Sequence, residues 1–224
     1  MTAGRVLVTG FESYGGRGTN PAGEIAKALH GRRVAGAEIV GRTLPVSFAR
    51  LQDNVSALLA ESDPLVALGI GLWPGEPVIR LERLAINLAD FEIADNEGAM
   101  LADEELHAAG PAALAATIPV RRIEGELLRV GIPARLSATA GTFLCNACLH
   151  ALLHAAATRL RPPLCGFVHV PYLPAQVAEL LQATRQEARL ELHQRADLAS
   201  LDLATATRAV EIAAALSVEA ARAS

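Results

Sequence analysis

Aromatic residues are scarce in this 224-residue chain, at 4%, so a core has to be filled mainly by Ala, Leu, Val and Ile. Charge is thin as well: 20% of residues are charged, the formal net charge is −4, and there is no block of basic residues. Nucleic-acid binding needs clustered Lys and Arg against phosphates, so no nucleic-acid partner is expected. No apolar run approaches the roughly 20 residues of a membrane span, so no membrane partner is expected either. The first residues pass directly into a strand pattern, without the apolar segment of a secretory signal. Three cysteines, an odd number, do not make a disulfide framework. Internal repeats and low-complexity linkers are lacking too. These absences leave a soluble, cytoplasmic chain with reduced thiols, read as one domain over residues 1–224. With 51% hydrophobic residues it has the material for a full core.

Strand-like and helix-like stretches alternate along the chain. Arg5-Val-Leu-Val-Thr9 is a short apolar strand that breaks at Gly10. A glycine-rich loop follows, then Asn20-Pro21 as N-cap and first helical residue of a helix ending near His30. Further strands are expected over 37–44, 65–70, 78–87, 134–137 and 164–170, with a short segment over 112–117. Helices are expected over 48–60, 120–130, from the cysteine turn towards Leu160, and over 174–189 and 203–221. This order predicts an α/β fold, a three-layer α/β/α sandwich around a mostly parallel twisted sheet. Ligands of such sheets bind beyond the carboxyl ends of the strands. The Gly10 loop, the Gly71 loop, the Cys145 turn and His169 all fall at such ends. Gly10 to Gly18 fits neither common phosphate-binding glycine pattern, which argues against a nucleotide site.

Cys145 stands in Ala138-Thr-Ala-Gly-Thr-Phe-Leu-Cys-Asn146, read as strand end, tight turn and helix start. In the first turn of a helix, a thiol feels the positive end of the dipole and free backbone N–H groups, which favour the thiolate. Taken alone, Cys145 fits core packing as well, since free cysteine is among the most buried residue types. His169 lies at the end of an apolar strand, either as a hydrogen-bonded core histidine or as a general base for Cys145. A carboxylate usually holds such an imidazole in one tautomer. Glu82, in an otherwise apolar extended stretch between Arg80 and Arg83, is the best placed; its alternative is a strand-edge salt bridge with one of those arginines. Asp90 and Asp95 compete from loop positions.

Four blocks carry a resemblance to the pyroglutamyl peptidase type I (pyrrolidone carboxyl peptidase) family. They are Val6-Leu-Val-Thr-Gly-Phe-Glu12 with Gly15-Gly16 and Asn20-Pro21; Leu81-Glu-Arg-Leu-Ala-Ile-Asn87 with Asp95-Asn-Glu-Gly98; Ala140-Gly-Thr-Phe-Leu-Cys-Asn146; and Phe167-Val-His-Val-Pro-Tyr-Leu-Pro174. The resemblance covers nearly the whole chain, in the family's order. It implies a cysteine peptidase that removes N-terminal pyroglutamyl residues, with Cys145 as nucleophile, His169 as general base and Glu82 as the acid that orients it. It also implies a lactam pocket at Phe11, Tyr14, Val46, Leu72, Ile93, Phe143 and Leu144, and a homo-oligomer, commonly a tetramer. No cofactor or metal is expected.

The chain resembles a divergent member. Tyr14 stands where the family usually has Phe. Gly71-Leu-Trp-Pro-Gly-Glu76 replaces Gly-Gln-Ala-Gly-Gly-Arg, and Phe91-Glu-Ile-Ala94 replaces the common Ala-Arg-Ile-Pro. Leu72 thus removes a hydrogen-bonding side chain, worth about 0.5–1.5 kcal/mol. Glu92 reverses a charge near the reacting atoms. Three alternatives follow: a hydrolase of another small acyl-amide, a binding homologue without turnover, or a redox protein using the Cys-x-x-Cys spacing of Cys145 and Cys148. Cys148 falls one helical turn further in and lacks the usual setting of a redox pair. Cys165 reads as core. His150 and His154 share a helix face but lack the acidic partner of a zinc motif.

Overall fold

A computed structural model describes residues 4–187 and 198–223. Nine strands and six helices are assigned among them. In chain order they are β1 (Arg5–Phe11), α1 (Pro21–Leu29), β2 (Arg33–Val34), β3 (Ala37–Leu44), α2 (Phe48–Ser62), β4 (Val66–Leu72), β5 (Ile79–Glu82), β6 (Leu84–Ile86), β7 (Ala113–Ala115), α3 (Val120–Arg129), β8 (Ala134–Ser137), α4 (Leu144–Ala157), β9 (Leu164–Val170), α5 (Pro174–Glu187) and α6 (Leu203–Ala223).

Seven strands form one sheet in the order β2-β3-β1-β4-β9-β5-β8. Neighbours are parallel except at β2–β3 and β5–β9, so the sheet is mixed but mostly parallel. The central strands are buried on both faces, as parallel strands covered by helices are. Side-chain alternation divides the core in two. Val6, Val8, Val66, Leu68, Ile70, Val168 and Val170 pack with α1, α3 and α6 on one face. Leu7, Ala67, Cys165 and Phe167 pack with α2 and α4 on the other. The expected α/β/α layering is therefore the observed one.

Local chemistry sets several boundaries. The Asn20 side chain accepts from the Ala22 N–H at 3.1 Å and Pro21 opens α1, as expected. Two differences have tertiary causes. The extended stretch 78–87 splits at Arg83: β5 joins the main sheet, while β6 pairs with β7 in a separate two-stranded sheet. Glu82 is consequently not on a sheet edge, because β5 lies between β9 and β8. The two-residue β2 was not anticipated. The helix expected over 174–189 is seen as Pro174–Glu187, and its expected last residues lie outside the described ones.

Candidate active site

One rung of the sheet organises the site. In register across neighbouring strands stand Gly71 on β4, His169 on β9, Arg80 on β5 and Arg135 on β8. Because β9 buries Phe167 on the face covered by α4, His169 two residues on points to that face too. The helix α4 delivers Cys145 there. Phe143 is its N-cap and provides no side-chain cap bond. The Ala147 N–H is the first to bond back, to the Phe143 carbonyl at 3.2 Å, which leaves the preceding N–H groups without intrahelical partners. Gly141, at φ 79°, supplies the left-handed turn before it. Buried Asn146 fixes the helix start to β6: it accepts from the Ile86 N–H at 2.9 Å and donates to the Ile86 and Leu88 carbonyls.

Cys145 and His169 converge over the bare backbone of Gly71. A Cβ at that position would lie 2.6 Å from Cys145 Sγ and 2.9 Å from His169 Nε2. The other ring nitrogen is engaged, since His169 Nδ1 lies 2.9 Å from Glu82 Oε1. A carboxylate accepts, so Nδ1 carries the proton and Nε2 presents its lone pair on the Cys145 side. The same Glu82 oxygen also accepts from Arg80 Nε at 3.0 Å. Glu82 is thus an arginine's salt-bridge partner, inside the sheet and not at its edge, and at the same time the imidazole's neighbour. Asp95 is occupied otherwise, accepting from the Phe48, Glu97 and Ala99 N–H groups. Those bonds hold its carboxyl below the ordinary range. Asp90 is exposed.

The thiol's acidity differs from the expectation of a ready thiolate. Burial, with smaller contributions from Cys148 and Glu82, pushes the Cys145 pKa well up. Desolvation outweighs the helix terminus. Burial also holds His169 below its ordinary value of 6.5, against the opposing pull of Glu82. A neutral thiol beside a neutral imidazole is the resting pair, and the proton has to move when the sulfur attacks. Burial likewise pushes Cys148 and Cys165 up to about 12, and lowers His150, with smaller contributions from His154 and His107.

These shifts predict a stability profile with two limbs. Histidines depressed in the fold take up protons first in the unfolded chain, so stability is present above pH 6.5 and is lost as pH falls below it. Thiols raised in the fold lose protons first in the unfolded chain, so stability is lost as pH rises above 9.0. Thermal denaturation at closely spaced pH values checks this: Tm should be highest between those limits. A flat profile would contradict it.

Two adjoining cavities open at Cys145. The inner one, about 20 Å³, is lined by Phe11, Tyr14, Asn20, Val46, Leu72, Phe143, Leu144 and Cys145. The outer one, about 290 Å³, includes Tyr14, Leu72, Trp73, Asp90, Glu92, Ile93, Phe143, Cys145 and His169. The seven sequence-predicted pocket residues thus all line one cavity or the other. Tyr14 has its hydroxyl pKa raised to about 12, chiefly by burial, so it keeps its proton and remains a donor. Glu92 is exposed on the wall of the outer cavity.

Sequence reasoning missed the bracing around the rung. Trp73 stacks over the Arg80 guanidinium at 3.7 Å and meets the His169 ring edge-on at 4.9 Å. Glu76 bridges Arg80 and Arg135. Gly71 is part of the block set beside the family pattern, but nothing in the sequence indicates what approaches it. A third cavity, remote in character from this one, gathers His107, His150 and His154 with Leu51, Gln52 and Phe48. Among the described residues no group of three or more metal-ligating side chains is placed to hold an ion.

Residues 4–218 match the family model described as pyroglutamyl peptidase. The chain belongs to the pyroglutamyl peptidase family. The pyrrolidone-carboxylate peptidase of Pyrococcus furiosus is 42% identical over 175 residues, which is 78% of this chain and 84% of that protein. That of Cupriavidus pinatubonensis is also 42% identical, over 77% and 81% of the two chains. Among solved structures, the pyrrolidone carboxyl peptidase of Thermococcus litoralis superposes with a TM-score of 0.88 at 36% identity, covering 96% of this chain and 94% of that one. Tyr14, Leu72 and Glu92 all stand on the cavity walls around the sulfur.

Proposed function

We propose that this chain is a cysteine-type omega peptidase that removes N-terminal pyroglutamyl residues from peptides, with Cys145 as nucleophile, His169 as general base and Glu82 as its orienting acid. The observation that carries the reading is the convergence of Cys145 Sγ and His169 Nε2 over Gly71, with Glu82 on the far ring nitrogen. Sγ attacks the lactam-bearing carbonyl as its proton passes to Nε2. The developing oxyanion is met by the free N–H groups at the start of α4. Collapse breaks the C–N bond, and the imidazolium returns the proton to the departing amine. Water, deprotonated by the same nitrogen, then hydrolyses the acyl-thiol and restores the thiol.

The inner cavity suits the lactam ring by its apolar lining of Phe11, Val46, Leu72, Phe143 and Leu144. At about 20 Å³ it is no larger than a single water needs, so the ring enters only if Tyr14 and Phe143, with ring centroids 6.0 Å apart, give way. The departing peptide leaves through the outer cavity. A pyroglutamyl-amide reporter is the direct test. Release of its fluorophore by the wild type, and not by a Cys145 variant, is expected; equal background from both would overturn the reading. Another small acyl-amide substrate would appear as hydrolysis of that amide with no pyroglutamyl turnover. The same proposal takes the chain as one cytoplasmic domain that assembles as a homo-oligomer, which light scattering on the purified protein checks.

The outer wall makes a second expectation. Asp90 and Glu92 are both exposed there. Peptides with Lys or Arg after pyroglutamate should be cleaved about two- to fivefold more efficiently than those with Glu, the scale of an exposed charge pair of up to ~1 kcal/mol. Glu92→Gln should narrow that ratio, as should added salt. An unchanged ratio in Glu92→Gln would remove Glu92 from the path of the substrate.

A further inference from the structure

Arg80 is buried and lines neither cavity, yet it binds both the acid behind His169 and the loop that leads to the nucleophile. Its Nε donates to Glu82 Oε1 at 3.0 Å and its Nη1 to Glu76 Oε2 at 3.3 Å. Its Nη2 donates to Ser137 Oγ at 2.6 Å and to the Thr139 carbonyl at 2.7 Å. Thr139 lies in the loop that leads from β8 to the cysteine, and Glu82 is the acid behind His169. One planar guanidinium thus ties the triad acid to the loop that presents the nucleophile. Trp73 covers its face and touches His169.

We propose that Arg80 is the positioning residue of this site, fixing the Glu82 carboxylate and the cysteine loop in one frame, and that Glu76 sets how strongly its charge bears on His169. The proposal rests on the catalytic reading above. The electrostatic logic follows from the sharing of a single oxygen. Glu82 Oε1 accepts from Arg80 and from His169 together. Every bit of carboxylate charge drawn to the arginine is withdrawn from an imidazolium. Glu76 opposes this, because it takes part of the Arg80 charge and all of the Arg135 fork: Arg135 donates to its two oxygens at 3.1 and 2.7 Å. The charged or titratable groups facing His169 are therefore Glu82 and Arg80 from β5, Glu76 from the loop before it, and Cys145 from α4. Two carboxylates balance two guanidiniums, and the histidine is left neutral at rest.

A brace that merely held the fold would lower activity equally at all pH values. A residue that sets the base's proton affinity moves the acid limb of the rate profile, and its two ends move it in opposite directions. Arg80→Met removes a cation facing His169, so protonation becomes easier and the acid limb of kcat/KM rises, by about one pH unit. Glu76→Gln frees the arginine's charge, so protonation becomes harder and the limb falls by a similar step. Arg80→Lys keeps the charge but loses the fork. Its limb stays near the wild-type position while kcat falls at least tenfold, with KM within about threefold.

The experiment is the pH profile of pyroglutamyl-amide hydrolysis for wild type and the three variants, beside an NMR titration of the His169 imidazole in the same proteins. Opposite shifts for Arg80→Met and Glu76→Gln are expected in both measurements. Unmoved profiles, or shifts of the same sign, would overturn the proposal. If Arg80→Met does not fold, Glu76→Gln decides: a downward shift supports Arg80, and none refutes it. The NMR arm needs no substrate. Opposite NMR shifts without pyroglutamyl turnover in any form would sink the substrate reading and leave Arg80 standing.

Discussion

Cys145→Ala is expected to lower turnover of a pyroglutamyl-amide reporter by on the order of 10⁴-fold or more, the scale on which removing a nucleophile acts. The folded state should hardly notice. The side chain is half-buried on a cavity wall, and losing one sulfur there costs no more than an ordinary single substitution, about 1 kcal/mol. Cys145→Ser should fare no better, since a hydroxyl is far harder to deprotonate with an imidazole that burial already keeps weakly basic. The other two thiols make the assay clean: Cys148 and Cys165 are fully buried, so alkylation of the native protein that abolishes turnover should map to Cys145. Native alkylation at Cys148 with full loss of activity, or a Cys145→Ala protein that still turns over, would refute the assignment. The rate of alkylation should rise with pH without a plateau near neutrality, because the thiol is held protonated by burial.

Gly71→Ala should be the most damaging substitution that replaces no reacting group. The added methyl would stand 2.6 Å from Cys145 Sγ and 2.9 Å from His169 Nε2, closer than such contacts can be borne. His169 cannot yield freely, since Glu82 holds it at 2.9 Å and β9 is paired on both sides. The sulfur has to move, and a displacement of about 1 Å is worth on the order of 10² in rate. The same overpacking costs about 1–3 kcal/mol of stability. Gly69→Ala is the control: on the same strand its methyl would meet the Phe167 ring at 2.4 Å, so it strains the core without parting the pair. A matched loss of stability with activity preserved in Gly69→Ala, against activity lost in Gly71→Ala, is the expected contrast. Wild-type kcat in Gly71→Ala would mean that the thiol and imidazole do not work across that gap.

Which parts of this could be read from residue order follows from the range of the interactions. The start of α1 was legible because Asn20 and Pro21 are neighbours whose roles are local. The end of β3 was legible because Pro45 cannot continue a ladder. Glu82, His169 and Cys145 were separately visible, and the resemblance joined them. Their geometry was not visible, since it depends on β5 running antiparallel to β9, a pairing between strands more than eighty residues apart. That reversal is what sets Arg80 opposite His169. The acidity of Cys145 was misjudged for the same reason. A helix start is written in the local sequence, whereas the desolvation that overrides it is supplied by Tyr14, Leu72, Trp73 and other walls from distant segments.

The rung of Gly71, His169, Arg80 and Arg135 has a further consequence for how such a protein changes over time. Adjacent strands lie about 4.8 Å apart whatever their sequence, so the spacing of base and brace is inherited from backbone hydrogen bonding. Insertions or deletions in the connecting loops leave that spacing untouched. Trp73, Asp90 and Glu92, by contrast, stand off the strands on connecting segments. Drift in those segments can retune which peptides are accepted while the spacing of base and brace stays constant. Selectivity and chemistry are carried by different kinds of backbone, and only one of them is free to wander.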